Sequence, residues 1–379
     1  MKNYPVKGIS PLSNFSETVY LDRQYIIAAL GTPVTQETIS ALSEWGFADV
    51  LCDGEPAAFV PPSATQTAQE SRAGDLSSPD FQQKKQEVEN FYAMLIKFVE
   101  KLFSDAAKKN KIRFDMVLEK VKSIYGFIRE NRRFMMQVMP YTKSEDEKNH
   151  VATHSAHAAV IAIDIGTYLK LPQYQRIELG VAALVHDIGR IMLPPELYED
   201  GKVLTEAEKK LIYTHPIHSY NIIKTSNFPP LITAAVIAHH EREDGLGYPR
   251  KLAGERISLY ARIIAAASTY EELTAKRPRS EAQDGYTETV ELLRNKEKVY
   301  DETVIKALVN SLSEYPIGSY VLLSDGNTGR VIDVNPDDRY CPVVEIITNA
   351  GGGKNVLIRT SPGGIFVVSS SEPKEPGKQ

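Results

Sequence analysis

The chain has 379 residues, 42% hydrophobic and 25% charged, a globular composition that excludes wholesale disorder, collagen-like repeats and a disulfide-stapled miniprotein. Its 44 lysines and arginines against 49 aspartates and glutamates leave a net charge of −5, which supplies no field for non-specific binding to duplex DNA. Two cysteines outside any C-x-x-C spacing, no apolar leader and no run of roughly 18 apolar residues predict a reduced, cytoplasmic protein without a membrane span.

At roughly 100 to 200 residues per domain, this length corresponds to two or three domains. Residues 1–55 mix short β-like runs with one amphipathic helix, Gln36 to Glu44, which Thr35 caps and Gly46 ends, and so form a small α+β unit. Residues 56–80, rich in Pro, Ser, Thr, Ala and Gln, read as a flexible linker. Within 81–145, apolar residues recur at three and four, as in Phe91, Met94, Leu95, Phe98 and Leu102, so 81–108 and 114–139 form two long amphipathic helices. Such a pair packs within one chain or joins two chains as a homodimer. Helical patterning continues through 146–313, broken by Pro172, Pro194, Pro195, Pro229, Pro230 and the glycines near Asp244. After Pro316, the β-branched runs SYVLLSD, GRVIDVN, PVVEIIT and NVLIRT alternate with turn sequences and predict a small antiparallel sheet over 314–370, with a disordered polar tail at 371–379. The fold class is mainly α, with β units at both ends.

All eight histidines lie between residues 150 and 240, and imidazoles gathered in this way are metal-ligand chemistry. His186 and Asp187 close the apolar run VAALVHDIGR, which Gly189 is placed to stop. A carboxylate buried there needs a cation or a hydrogen-bond network. Adjacent imidazole and carboxylate let one short segment reach two neighbouring ions, as two-metal hydrolysis requires; capping a neighbouring helix would also satisfy Asp187. In His239-His240-Glu241, successive helical residues point about 100° apart, so the two imidazoles hold different ions or stand as a solvated pair. His150, His154 and His157 share a helical stripe with His154 as its buried member, His215 precedes Pro216 at a turn, and His218 lies at the surface. In the DGLGYP loop from Asp244, Gly247 lets backbone approach a ligand and Tyr248 offers an aromatic face with a hydroxyl tip. Arg190, Arg242, Arg250, Lys251, Arg262 and Arg277 supply cations, a few of which suit a phosphate ester. Oxygen and nitrogen donors without thiolate suit iron, manganese or zinc. No GxxxxGK[ST] loop and no GxGxxG after a strand is present, which leaves nucleotide-triphosphate motors and dinucleotide oxidoreductases without support.

Taken in order, His154, HDIGR from His186, His215-Pro216 and HHEREDGLGYP from His239 resemble the HD-GYP subfamily of HD-domain metal-dependent phosphohydrolases, over about residues 146 to 313. The resemblance implies a helical domain with two and sometimes three divalent ions, iron or manganese, and hydrolysis of the bacterial messenger cyclic di-GMP to pGpG or GMP. It implies His154, His186, Asp187, His215, His239 and His240 as metal ligands and Asp187 as the bridging, catalytic carboxylate. It assigns Arg190, Gly247, Tyr248, Pro249 and Arg277 to the substrate. The sequence also departs from the family. In ARIIAAASTYEELTAKRP, Ser268 stands where a ligating Asp is expected, and Glu272, one turn on, or water is the expected substitute. His150 stands where members with three metals carry Glu, which makes it a second candidate ligand. Arg190 replaces the usual Lys, and Ser280 replaces a basic residue. These departures keep two alternatives open: a non-catalytic domain that binds cyclic di-GMP or a partner such as a diguanylate cyclase, and a phosphohydrolase for another nucleotide.

Overall fold

The structure, a computed structural model, describes residues 1–11, 13–17, 19–20, 26–28, 34, 36–44, 47–58, 79–139, 150–198, 204–274, 292, 295, 298–311, 315, 319–333, 341–346, 356–361 and 364–370. Residues 59–78 of the predicted linker, the 371–379 tail, Thr35, Gly46, Arg277 and Ser280 lie outside the described residues. The chain groups into two compact units. One joins Met1–Phe81, Asp284–Tyr286 and Leu312–Gln379; the other joins Gln82–Gln283 and Thr287–Ser311.

In the first unit, β1 (Lys2–Pro5), β2 (Ser13–Phe15), β3 (Val19–Tyr20), β4 (Ile26–Ala28), α1 (Gln36–Glu44), β5 (Asp49–Cys52) and β6 (Pro56–Ala58) follow in chain order. β1, β5, β3 and β4 pair in that order, antiparallel, and β2 pairs with β6. The second ladder sets Phe15 opposite Pro56 and Ser13 opposite Ala58. Strand structure therefore continues through Ala58, past the point where composition predicts a linker, because main-chain pairing is indifferent to a Pro at a strand's first position.

The predicted C-terminal sheet consists of β7 (Tyr320–Leu323), β8 (Thr328–Asp333), β9 (Val343–Ile346), β10 (Leu357–Arg359) and β11 (Val367–Ser370), ordered β10-β9-β8-β7-β11. Alternation along β7 and β8 turns one face inward, and Val321, Leu323, Val331, Val344, Ile346 and Val367 form the core of the sheet.

The second unit is helical, as patterning predicts. Its elements are α2 (Pro79–Lys109), α3 (Phe114–Val138), α4 (His150–Tyr168), α5 (Gln173–Val185), α6 (Glu206–Ile212), α7 (His215–Thr225), α8 (Pro230–Ile237), α9 (Leu259–Thr274) and α10 (Glu302–Ser311). Phe91 of α2 stacks on Phe127 of α3, with centroids 4.0 Å apart, and the Tyr92 hydroxyl donates to the Met135 carbonyl at 3.1 Å. α4 is buried from His154 through Gly166 and packs against α5, α9, α10 and α3. Its alanines let those backbones approach closely. A charge within α4 is matched: Asp164 accepts two bonds from Arg132 of α3, which also donates to the Ser311 carbonyl of α10 at 2.7 Å. Among the described residues, no helix is long and apolar enough to cross a membrane.

Candidate metal centre

Asp187 occupies a tight break between helical segments. α5 stops at Val185, with His186 as its C-cap. Asp187 follows with φ −99° and ψ 7°, the bridge region common at active sites. The helix thus ends before Gly189, and that glycine serves a different purpose from the predicted stop. A Cβ at Gly189 would lie 2.2 Å from the His215 carbonyl oxygen and 2.4 Å from the Ser219 nitrogen, so its absence lets α7 dock on the Asp187 turn. Gly189 N–H also donates to Ser219 Oγ at 2.8 Å. His215 is the first residue of α7, where Pro216 fits without losing a helical bond.

His186, Asp187 and His215 are fully buried, and His154 and His239 nearly so. His215 Nε2 lies 3.1 Å from Asp187 Oδ1 and His239 Nε2 lies 3.6 Å from it. On the other oxygen, His154 Nε2 and His186 Nε2 approach Oδ2 at 3.6 and 3.5 Å. Two groups of donors result: Asp187, His215, His239 and His240 in one, and His154, His186 and Asp187 in the other, with ligand atoms within 4.8 Å of one another. Asp187 belongs to both.

His239 and His240 correct the sequence expectation. α8 ends at Ile237 and Ala238 caps it, so the two histidines sit in a turn rather than on a helix. The 100° separation no longer applies, and both imidazoles fall in the same donor group. His157 is a second correction, since it is buried together with His154. Neither His150 nor Glu272 joins a donor group among the described residues. Glu272 instead meets Arg190 Nη2 at 3.4 Å, and Arg190 Nε lies 2.9 Å from Asp187 Oδ2.

The carboxylate of α9 that reaches the centre is Glu271. One of its oxygens pairs with His154 Nδ1 and the other with His157 Nδ1, the latter at 3.2 Å. A carboxylate can only accept, so both Nδ1 atoms carry protons. His157 is backed by Tyr92, edge-to-face at 5.4 Å. Ser268 Oγ lies 3.1 Å from His154 Nε2, on the side of the ring that faces Asp187. Glu271 escaped the sequence reading because Ser268 has acidic residues at both i+3 and i+4, and spacing alone does not choose between them.

The tautomers of the other histidines are fixed from behind. His186, His215 and His239 direct Nδ1 at the carbonyls of Ala183, Ile212 and Val236, at 2.7, 2.7 and 2.6 Å. Each Nδ1–H therefore donates, and each Nε2 presents a lone pair toward Asp187. Burial pushes the imidazoles of His186 and His240 well below their ordinary pKa and lowers that of His215, favouring the neutral, ligating form. Burial lowers His154 too, but the carboxylates of Glu271, Glu272 and Asp187, Glu271 foremost, together outweigh it and raise its pKa. Asp187 stays ionised: burial opposes this, and the Arg190 guanidinium does most to overcome it.

These residues fit divalent metal ions. His186 Nε2 and His240 Nε2 are buried without a hydrogen-bond partner, and lone pairs converging on a buried carboxylate repel unless a cation lies between them. The donors are imidazole nitrogen and carboxylate oxygen, with no thiolate.

The GYP loop covers the His240 side. A Cβ at Gly247 would lie 2.5 Å from the Arg242 nitrogen and 2.6 Å from the Glu241 Cα, so only glycine lets the loop fold back on the HHE turn. Glu241 holds it there, accepting from the Arg250 and Leu252 amides at 2.7 and 2.8 Å. Tyr248 stacks on His240 at 4.7 Å, and Tyr213 stacks on Tyr248 at 4.2 Å, each pair within 21° of parallel.

Residues 141–304 match the HD domain family. That stretch is an HD domain, and its motif strings and relatives fit the HD-GYP subfamily. The cyclic di-GMP phosphodiesterase PdeB of Borreliella burgdorferi is 31% identical over 203 residues, which cover 54% of each protein. The cyclic di-GMP phosphodiesterase PA4108 of Pseudomonas aeruginosa is 32% identical over 210 residues, covering 55% of this chain and 50% of that one. The chain thus spans about half the length of these curated relatives. Among solved structures, Bd1817 of Bdellovibrio bacteriovorus, an HDG“Y”P protein, matches 82% of this chain and 98% of its own with a TM-score of 0.50 at 13% identity, a likeness of fold alone.

Proposed function

We propose that this protein is a metal-dependent phosphodiesterase that hydrolyses cyclic di-GMP to pGpG or GMP. The observation that carries the reading is Asp187, a fully buried carboxylate shared by two groups of donors whose ring nitrogens gather around it. The relatives named cyclic di-GMP phosphodiesterases supply the substrate class. His154, His186, Asp187, His215, His239 and His240 are the proposed ligands of two ions, iron or manganese. Bound there, such ions would polarise a phosphodiester and activate a water molecule for in-line attack.

The chain's own residues prepare that chemistry. Backbone carbonyls behind His186, His215 and His239 hold the ligating tautomer, so little rearrangement is needed on loading. Arg190 keeps Asp187 ionised and anchors it in place. The Tyr248 hydroxyl, whose pKa burial raises, remains protonated and can donate to a phosphate oxygen. Burial of Asp187 and its imidazoles excludes bulk water and strengthens each electrostatic contact.

The test is turnover of cyclic di-GMP by anaerobically purified protein supplied with iron(II) or manganese(II). Linear pGpG or GMP is expected from the wild type and none from His186→Ala or Asp187→Ala. Full activity in either variant would contradict the assignment.

A further inference from the structure

The aromatic stack over the metal centre has an open end. His240, Tyr248 and Tyr213 form a ladder of nearly parallel rings that starts at a metal-donor imidazole and runs outward. Tyr213 is the C-cap of α6, two residues before His215. It is 46% exposed although one face is covered by Tyr248. Exposed apolar side chains recur on the segments that build the site. Met192, Leu211, Ile217 and Leu246 are exposed and lie on the segments that carry Asp187, Tyr213, His215 and Tyr248.

We propose that the outer face of Tyr213 is a stacking platform for a purine base of the substrate, which extends the His240–Tyr248 ladder by one ring. The proposal rests on the phosphodiesterase reading for the position of the phosphate, and it adds what holds the base. A flat purine is the chemistry that matches a flat, exposed ring continuous with a phosphate-binding centre. Stacking on aromatic side chains is favourable for any base, and a tyrosine already fixed on one face by Tyr248 loses little freedom on binding. An isolated surface tyrosine would offer neither the fixed orientation nor the continuity with the metal donors.

Calorimetric titration of the manganese-loaded, full-length protein with GMP and with ribose 5-phosphate isolates the contribution of the base. GMP is expected to bind about tenfold more tightly or better, as stacking predicts. Tyr213→Leu still covers Tyr248 but lacks a π-face, so most of that preference should disappear while ribose 5-phosphate binds as before; Tyr213→Trp should retain it. Wild-type protein that does not prefer GMP, or a preference unchanged in Tyr213→Leu, overturns the platform. Assaying cyclic di-GMP hydrolysis in the same preparations separates the two ideas. A Tyr213-dependent GMP preference without hydrolysis leaves the platform standing and removes the phosphodiesterase reading. Hydrolysis with a preference that ignores Tyr213→Leu does the reverse.

Discussion

At Ser268 a hydroxyl lies beside His154 Nε2, a nitrogen that the proposed centre needs for metal. The donor group around His154 contains three residues, whereas the one around His215 contains four, so the two ions should be held unequally. Ser268→Asp adds a carboxylate to the poorer group and should raise the metal retained per chain after dialysis, measured by elemental analysis; unchanged retention would mean that another group completes that site. Glu271 acts through His154 rather than on a substrate. Glu271→Gln leaves a single acceptor for two imidazole N–H groups and should weaken metal binding by roughly 10- to 100-fold, the usual cost of losing a partner behind a ligand. Chelator competition on the folded variant would measure it, and wild-type affinity would refute the positioning role. The resemblance to the HD-GYP pattern names the six proposed ligands from sequence, and the fold gathers all six into the two donor groups. Glu271 was not legible there, because only the packing of α9 against α4 sets which of two adjacent carboxylates turns inward.

Where helices stop decides which donors meet. His239 and His240 share a group because α8 ends at Ile237, an end that comes earlier than the continuous apolar run LITAAVIAHH suggests. A hydrophobic run marks burial and says little about where its last hydrogen bond lies. The start of α7 depends on Gly189, which lies against the His215 carbonyl and Ser219 amide. Gly189→Ala should force α7 away from the Asp187 turn and lower stability by about 1–3 kcal/mol, as overpacking does. Thermal unfolding of the metal-free variant would show it, with an unchanged melting temperature as the contrary result. The GYP loop depends on Gly247 and Glu241 in the same way; the glycine was visible as a point of close approach, whereas Glu241 was hidden because its partners are main-chain amides of the loop itself.

Across the whole chain, the helical body and the C-terminal sheet followed from periodicity, since a change from a three-and-four repeat to β-branched runs is a long-range signal. The strand at Pro56–Ala58 did not, being three residues whose pairing with Ser13–Phe15 leaves no compositional trace. The buried imidazoles give the metal-free fold a defined acid response. His186, His215 and His240 have folded pKa values below 6.5, so on acidification below pH 6.5 the unfolded chain takes up protons that the folded chain refuses. Each such imidazole costs up to about 1.4 kcal/mol of stability per pH unit. His154, with a raised pKa, acts in the opposite sense: its contribution is complete below pH 6.5 and is lost as pH rises through its folded value. The three should outweigh the one, so the melting temperature of metal-free protein should fall from pH 7 to pH 5; a rise would contradict the proposed protonation states. The central claim is that Asp187 joins two ions into one phosphodiesterase centre. It is tested most directly by titrating metal-free protein with manganese(II) while cyclic di-GMP turnover is followed against metal bound per chain. Turnover should emerge only as the second ion binds and should be absent at every loading in Asp187→Ala. Full turnover with a single ion, or two ions retained and active without Asp187, would contradict it.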